Sequence, residues 1–365
     1  MKNKSLLVIL IVVVICAISY VYTKGYYRFL KYAVSYVFPT ESYISTDEIL
    51  SIDVDTLNKI DRGYGDWLIH PCVRYIPNGM GDGSKWWMAV TPYPEGNSKY
   101  EQPVLYYGCE NAETPPTIWK YYGMIQQMPQ EGYNADPNIF YDERTKKMIL
   151  LWKESHTINT KDEYKNNAIM YRTFDGNKLG RIEKLFDNCD SEIVKLTCPT
   201  LLQIKDSLYC FATEFEHDRI SNVDQPFGKS HLAVWKNDYL NMDSVMFSYS
   251  RVAKQIYNKG FNYWHTDFTY DSQTGLYYSV VTDESGFNLY FGVSENGFNY
   301  RYLKKPLISF RDKNHFRNIY KASIVLAEGR LFVFYPKRSK TNRSVHIYKA
   351  ELDKTLLLND YYAEK

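Results

Sequence analysis

Five stretches of this chain share one arrangement, and that recurrence limits the fold more than any other feature. Each opens on a polar residue, in three copies followed by proline. An apolar strand, a turn, an aromatic-rich strand, a gap and a third strand come next. The first copy runs from His70-Pro71-Cys72-Val73-Arg74-Tyr75 through Trp86-Trp87-Met88-Ala89-Val90 to Gln102-Pro103-Val104-Leu105-Tyr106-Tyr107. The second opens at Asp136-Pro137-Asn138-Ile139 and continues with Met148-Ile149-Leu150-Leu151-Trp152. The third pairs Cys198-Pro199-Thr200-Leu201 with Leu208-Tyr209-Cys210-Phe211, and the fourth His265-Thr266-Asp267-Phe268 with Tyr277-Tyr278-Ser279-Val280. The fifth pairs Lys321-Ala322-Ser323-Ile324 with Leu331-Phe332-Val333-Phe334.

The copies lie about 60 residues apart, longer than a minimal four-stranded repeat needs, so they carry extended loops. Turn residues separate the first two strands, as in Asn78-Gly79, Ser272-Gln273-Thr274-Gly275 and Glu328-Gly329. Past the N-terminus no long window keeps a helical period. These features predict an all-β, five-bladed propeller over 61–355 and a C-terminal tail over 356–365. Ile49 to Val54, within a linker over 25–60, is placed against the last blade to close the ring. Ser294-Glu295-Asn296-Gly297 and Phe174-Asp175-Gly176 resemble degraded Asp-box turns, which are structural.

At the N-terminus, Lys2 and Lys4 precede an uncharged run from Leu6 to Val21, with tyrosines and basic residues after it. Residues 1–24 are therefore expected to be a signal anchor or signal peptide. The propeller is then held at a membrane outside the cytoplasm, or secreted if the segment is cleaved at Ala17-Ile18-Ser19. The net charge of +2 gives no excess to neutralise phosphates, which excludes an electrostatic nucleic-acid partner. Cys72, Cys109, Cys189, Cys198 and Cys210 follow no zinc spacing and no disulfide framework, so buried free thiols are expected and no cofactor is implied.

In a propeller the first strand of each blade lines the axis and starts at the funnel. His70, Asp136, Cys198, His265 and Lys321 then share one opening, with Asn138, Thr200, Asp267 and Ser323 two residues deeper. Ends of second strands add Glu154, Glu214, Glu216 and Arg338, and Glu101 leads a third strand. His265 and Asp267 share a strand face, which suits either a buried polar pair or a structural cation in the axial channel. Trp264 and Tyr320 flank the opening and offer flat faces to a sugar ring.

The strand openings His70-Pro71, Asp136-Pro137 and Cys198-Pro199 resemble those of the five-bladed propeller glycosidases. That superfamily holds the arabinanase and β-xylosidase group and the invertase and levansucrase group. Closer still are bacterial and phage members carrying segments like Trp87-Met88-Ala89-Val90-Thr91-Pro92-Tyr93, Glu101-Gln102-Pro103, Trp264-His265-Thr266-Asp267 and Tyr320-Lys321-Ala322-Ser323. The resemblance spans Ile69 to Glu351. It implies hydrolysis or transfer of an extracellular oligo- or polysaccharide by paired carboxylates. Asp136 is then base or nucleophile, Glu214 or Glu216 the acid, and Asp267 the group that tunes the acid. His70, Glu101, Glu154, Trp264, His265, Tyr320, Lys321 and Arg338 bind substrate. Two departures weigh against that assignment: His70 stands where the family places an Asp, and the usual Glu-Gly-Pro acid motif is missing. They favour a non-catalytic glycan-binding propeller as the alternative, with a sialidase-like hydrolase third.

Overall fold

Alternation of apolar residues with polar ones along each repeat forces extended chain, because only a strand puts every second side chain on one face. The computed structural model describes residues 41–44, 47–53, 67–94, 97–108, 112–155, 167–187, 195–215, 230–237, 250–256, 263–283, 288–309, 319–338 and 344–365. Among these residues five sheets are present, one per repeat, antiparallel but for one short parallel pairing.

The first blade joins Leu68–Met80, Ser84–Pro92, Val104–Gly108 and Ile118–Met124. Tyr133–Asp142, Lys147–Ser155, Asn167–Phe174 and Glu183–Asp187 build the second. The third is made of Lys195–Ile204, Ser207–Phe215, Ser230–Asn237 and Ser250–Ile256. In the fourth, Tyr263–Asp271, Leu276–Asp283 and Asn288–Ser294 run in order, and both Arg301–Tyr302 and Ile308–Ser309 pair with the last of them. The fifth contains Ser323–Ala327, Arg330–Arg338 and Val345–Leu352. Each innermost strand touches that of the next blade, and the fifth returns to the first.

Glu48–Ile49 adds an outer strand to the fifth blade, and Ser51–Ile52 pairs in parallel with the outer strand of the first. The N-terminal segment thus clasps two blades, where the sequence reading set Ile49 to Val54 on the last blade alone. Trp67 bridges to Val345 across the same seam. The proposed anchor over 1–24 lies outside the described residues, among which no helix is long and apolar enough to cross a membrane.

Each gap between neighbouring blades is filled by its own apolar cluster. Trp86 and Trp119 fill the gap between fifth and first blades, and Trp87 and Trp152 that between first and second. All four indoles are fully buried, so they pack the core. Burying such large side chains gives roughly 25 cal/mol for each Å² removed from water, enough to hold the sheets face to face. The segment expected to be a tail is instead a helix, Lys354–Ala363, capped by the Asp353 side chain on the Leu356 N–H. Leu357 and Tyr361, one turn apart, seat it on the cluster between the fourth and fifth blades.

The degraded Asp-box turns are structural. Asp175 Oδ1 accepts from the N–H groups of Asn177 and Lys178, and Asn296 Oδ1 from those of Phe298 and Asn299.

Candidate functional site

Proline cannot donate to a strand ladder, so the X-Pro openings fall where the ladder breaks. The register shifts between Ile69 and Cys72, between Ala135 and Asn138, and between Thr197 and Thr200. At each break the residue before proline takes a left-handed backbone: φ is 54° at His70, 54° at Asp136 and 53° at Cys198. Such a conformation costs a non-glycine residue about 1–3 kcal/mol and persists only where surrounding structure enforces it. Here it directs three side chains from three blades toward one point at the head of the axis. His265 of the fourth blade joins them after a shift between Tyr263 and His265.

Asp136 is the centre of this cluster. Its Oδ1 lies 3.2 Å from His70 Nδ1 and 4.0 Å from His265 Nδ1. Oδ2 accepts from the Thr197 hydroxyl and from the Cys198 N–H at 3.3 Å, with Lys153 Nζ 3.7 Å away. One oxygen is therefore tied down while the other faces two imidazoles. Asp136 Oδ1 is buried without a hydrogen-bond partner, and so is His265 Nε2. The His70 and His265 rings lie 5.0 Å apart, and the Cys198 thiol touches His265 Nδ1.

Burial opposes a charge on Asp136, but His70, Lys153, His265 and the Thr197 hydroxyl outweigh it and hold the carboxyl well below its ordinary range. Burial, with His70 beside it, keeps the His265 imidazole neutral. The balancing cation is Lys153. Burial works against its ammonium, yet Tyr133, Asp136 and Glu101 hold it protonated. It donates to Tyr133 Oη at 3.2 Å and lies 4.8 Å from the centre of that ring. Glu101, itself buried, thus belongs to the cluster through Lys153.

Two imidazoles and an ionised carboxylate are a donor set for a divalent transition ion. The candidate ligand atoms of His70, Asp136 and His265 all lie within 4.8 Å of one another, and an unsatisfied buried carboxylate oxygen is what such an ion would satisfy. The residues fit. Asp267, expected to share a cation with His265, is not part of this group: the carboxylate that joins His265 is Asp136.

Asp267 has other partners. Its carboxylate takes two hydrogen bonds from Arg74, at 2.7 and 3.0 Å, one from Ser323 Oγ at 2.7 Å and one from the Ile324 N–H at 3.1 Å. Burial opposes that charge as well, and the Arg74 guanidinium reverses the effect, holding Asp267 below its ordinary value. A carboxylate so saturated is a structural tie across the axis and has no capacity left to tune an acid.

Glu214 is buried and pairs with His231 Nε2 at 2.5 Å, directly opposite on the next strand of its blade. Glu154 falls on the other face of its strand from Lys153 and is half-buried, so it does not reach Asp136. Lys321 is fully buried and donates to the Pro137 carbonyl at 2.7 Å, a brace for the second blade's opening. Trp264 stacks on His265 at 4.6 Å, and Tyr320 meets Trp264 at 5.6 Å and His70 at 5.9 Å. Tyr93 adds a further ring 6.3 Å from Tyr320. These partly exposed rings form an aromatic rim over the histidines. Glu216 and the Arg338 side chain lie outside what the structure describes.

Sequence reasoning missed Lys153, Arg74, Thr197, His231 and Tyr93. Lys153 had a signal: it shares the buried face of its strand with Ile149 and Leu151. Arg74 had none, since its partner stands 193 residues away.

No protein-family model and no curated protein matches the chain. Solved structures do match. An N-acetylgalactosamine deacetylase from F. plautii, in complex with blood group B trisaccharide, superposes with a TM-score of 0.62 at 14% identity, over 86% of this chain and 94% of that one. The RS223 β-xylosidase gives 0.53 at 12% identity, over 84% and 95%. A family-43 glycoside hydrolase from Xanthomonas citri gives 0.51 at 11%, over 78% and 88%. At these identities the likeness is one of fold: this chain is a five-bladed propeller, with family-43 glycosidases among its structural neighbours.

Proposed function

We propose that the chain is a carbohydrate-directed hydrolase in which His70, Asp136 and His265 hold a divalent cation, and that the bond it cleaves is an acyl substituent of a sugar. The observation that carries this reading is the convergence of two imidazole nitrogens on one buried oxygen of Asp136 that accepts no hydrogen bond. An ion held there supplies polarisation of a carbonyl and a more acidic water.

The chain's own groups do the rest. Thr197, the Cys198 N–H and Lys153 fix Asp136 Oδ2 and present Oδ1 to the imidazoles. Neutral His265 is in the state that a ligand requires. Trp264, Tyr320 and Tyr93 offer faces for the C–H side of a sugar ring, which orients the substituent toward the histidines. The likeness to a deacetylase supports an amide or ester bond.

A second reading keeps the glycosidase chemistry, with Asp136 as base and Glu214 as proton donor. Its support is the burial of Glu214 against His231. The two readings separate in one assay of acyl and reducing-end release from acylated and plain oligosaccharides, before and after chelation. Acyl release that a chelator stops and zinc restores is expected. Reducing ends formed regardless of chelator would overturn the first reading and support the second. Binding without release would leave a glycan-binding propeller.

A further inference from the structure

Resting on the cation reading above, we propose that the Cys198 sulfur is a further ligand at that centre, making it selective for a thiophilic ion such as zinc or cobalt over calcium or magnesium. Cys198 occupies in the third blade the place that His70 and Asp136 occupy in the first and second. Each precedes a proline at a strand break, and φ is 53° against 54° and 54°. The backbone that turns two of the ligands inward turns this one inward as well.

The side chains come close to that placement, and to share an ion the sulfur draws back from the His265 nitrogen to about 3.5 Å. Cys198 is fully buried, and its sulfur contacts His265 Nδ1, the same nitrogen that stands 4.0 Å from Asp136 Oδ1. Independently, Asp136 Oδ1 is 1% exposed as a residue, has no hydrogen-bond partner, and looks into the same space. Donor atoms around a tetrahedral ion with bonds of about 2.0–2.3 Å stand about 3.3–3.6 Å apart. The nitrogen–oxygen separations of 3.2 and 4.0 Å bracket that range. Neither other described cysteine competes. Cys72 sulfur accepts from the Ile139 N–H at 3.1 Å, and Cys210 sits among the apolar side chains between the second and third blades.

As the sulfur–metal bond forms, the thiol proton passes to solvent and no electron changes hands. A set of two nitrogens, one oxygen and one thiolate matches zinc and cobalt, whereas calcium takes six to eight oxygens. Zinc centres expand to five ligands during reaction, which leaves room for a substrate oxygen.

The test is to strip the full chain with a chelator and titrate it with Co(II), following the visible d–d bands and the near-ultraviolet thiolate-to-cobalt charge-transfer band. Both are expected in the wild type. Cys198→Ser should keep the d–d bands, lose the charge-transfer band and bind zinc about 10–100-fold more weakly. X-ray absorption of the wild type with zinc, expected to show a sulfur neighbour at about 2.3 Å, decides the matter should the variant fail to fold. Cobalt bound without a charge-transfer band overturns the thiolate and leaves the three-residue site. No cobalt bound at all overturns both.

Discussion

Arg74 of the first blade and Asp267 of the fourth are joined across the axis by two hydrogen bonds, at 2.7 and 3.0 Å, beneath the paired histidines. Ser323 of the fifth blade donates to the same carboxylate at 2.7 Å, so three blades meet on one side chain. Removing one member of such a buried pair strands the other. Asp267→Asn is expected to cost about 3–5 kcal/mol, read as a fall in the denaturant midpoint. An unchanged midpoint with lost activity would return Asp267 to a chemical role.

Asp136→Asn tests the centre itself. It is expected to weaken zinc binding by about 100-fold or more and to abolish hydrolysis. Isothermal titration of the chelator-stripped protein measures the first, and product release the second. Because Lys153 loses its counter-charge, melting should also move downward, so affinity is compared well below the transition.

Glu214→Gln separates two chemistries. If Glu214 only balances His231, acyl release persists within a few-fold of wild type; a loss of about 100-fold or more points to a proton donor. The kcat of the variant on acylated and plain oligosaccharides gives the answer.

Gly176 takes φ of 100°, and a Cβ there would meet the Gly81 amide nitrogen at 2.6 Å, where turns of the first two blades touch. Gly176→Ala is expected to cost about 1–3 kcal/mol by thermal or urea unfolding. Substituting Gly275, whose Cβ would meet nothing within 4 Å, carries only the cost of its own φ of 71°.

Beside Asp136 and Asp267, whose carboxyls are also held low, Asp271 contributes to acid stability. Burial by itself raises this carboxyl, and the Lys354 ammonium, the Gln273 N–H and the Thr274 hydroxyl outweigh it, so it titrates below its ordinary value of about 4. The unfolded chain therefore takes up the proton first as pH falls. The contribution is complete above about pH 4 and is lost progressively below it. Urea unfolding from pH 6 to pH 3 should show this decline, and Lys354→Met, which removes the 3.1 Å contact with Asp271, should make it shallower.

The ring was readable because blade openings repeat a local chemistry: a polar residue, proline, then an apolar strand. That recurrence put His70, Asp136, His265 and Lys321 at one opening. Pairings that depend on distance across the ring were not readable. Arg74 looks like any outward strand residue until Asp267 arrives from the fourth blade. The Glu214–His231 pair depends on the register between two strands, which their sequences do not specify. The terminal helix escaped because Leu357 and Tyr361 are its only buried residues, too few to set a period.

The four side chains gathered at the head of the axis come from four separate blades, and a fifth blade braces one of them through Lys321. No fragment of the chain owns this centre. Two blades alone would hold His70 and Asp136 with nothing opposite them. Whatever chemistry happens here is a property of the circumference. It comes into being when the last sheet meets the first, and any variant that loosens the Glu48–Ile49 clasp should dim it before a single ligand is touched.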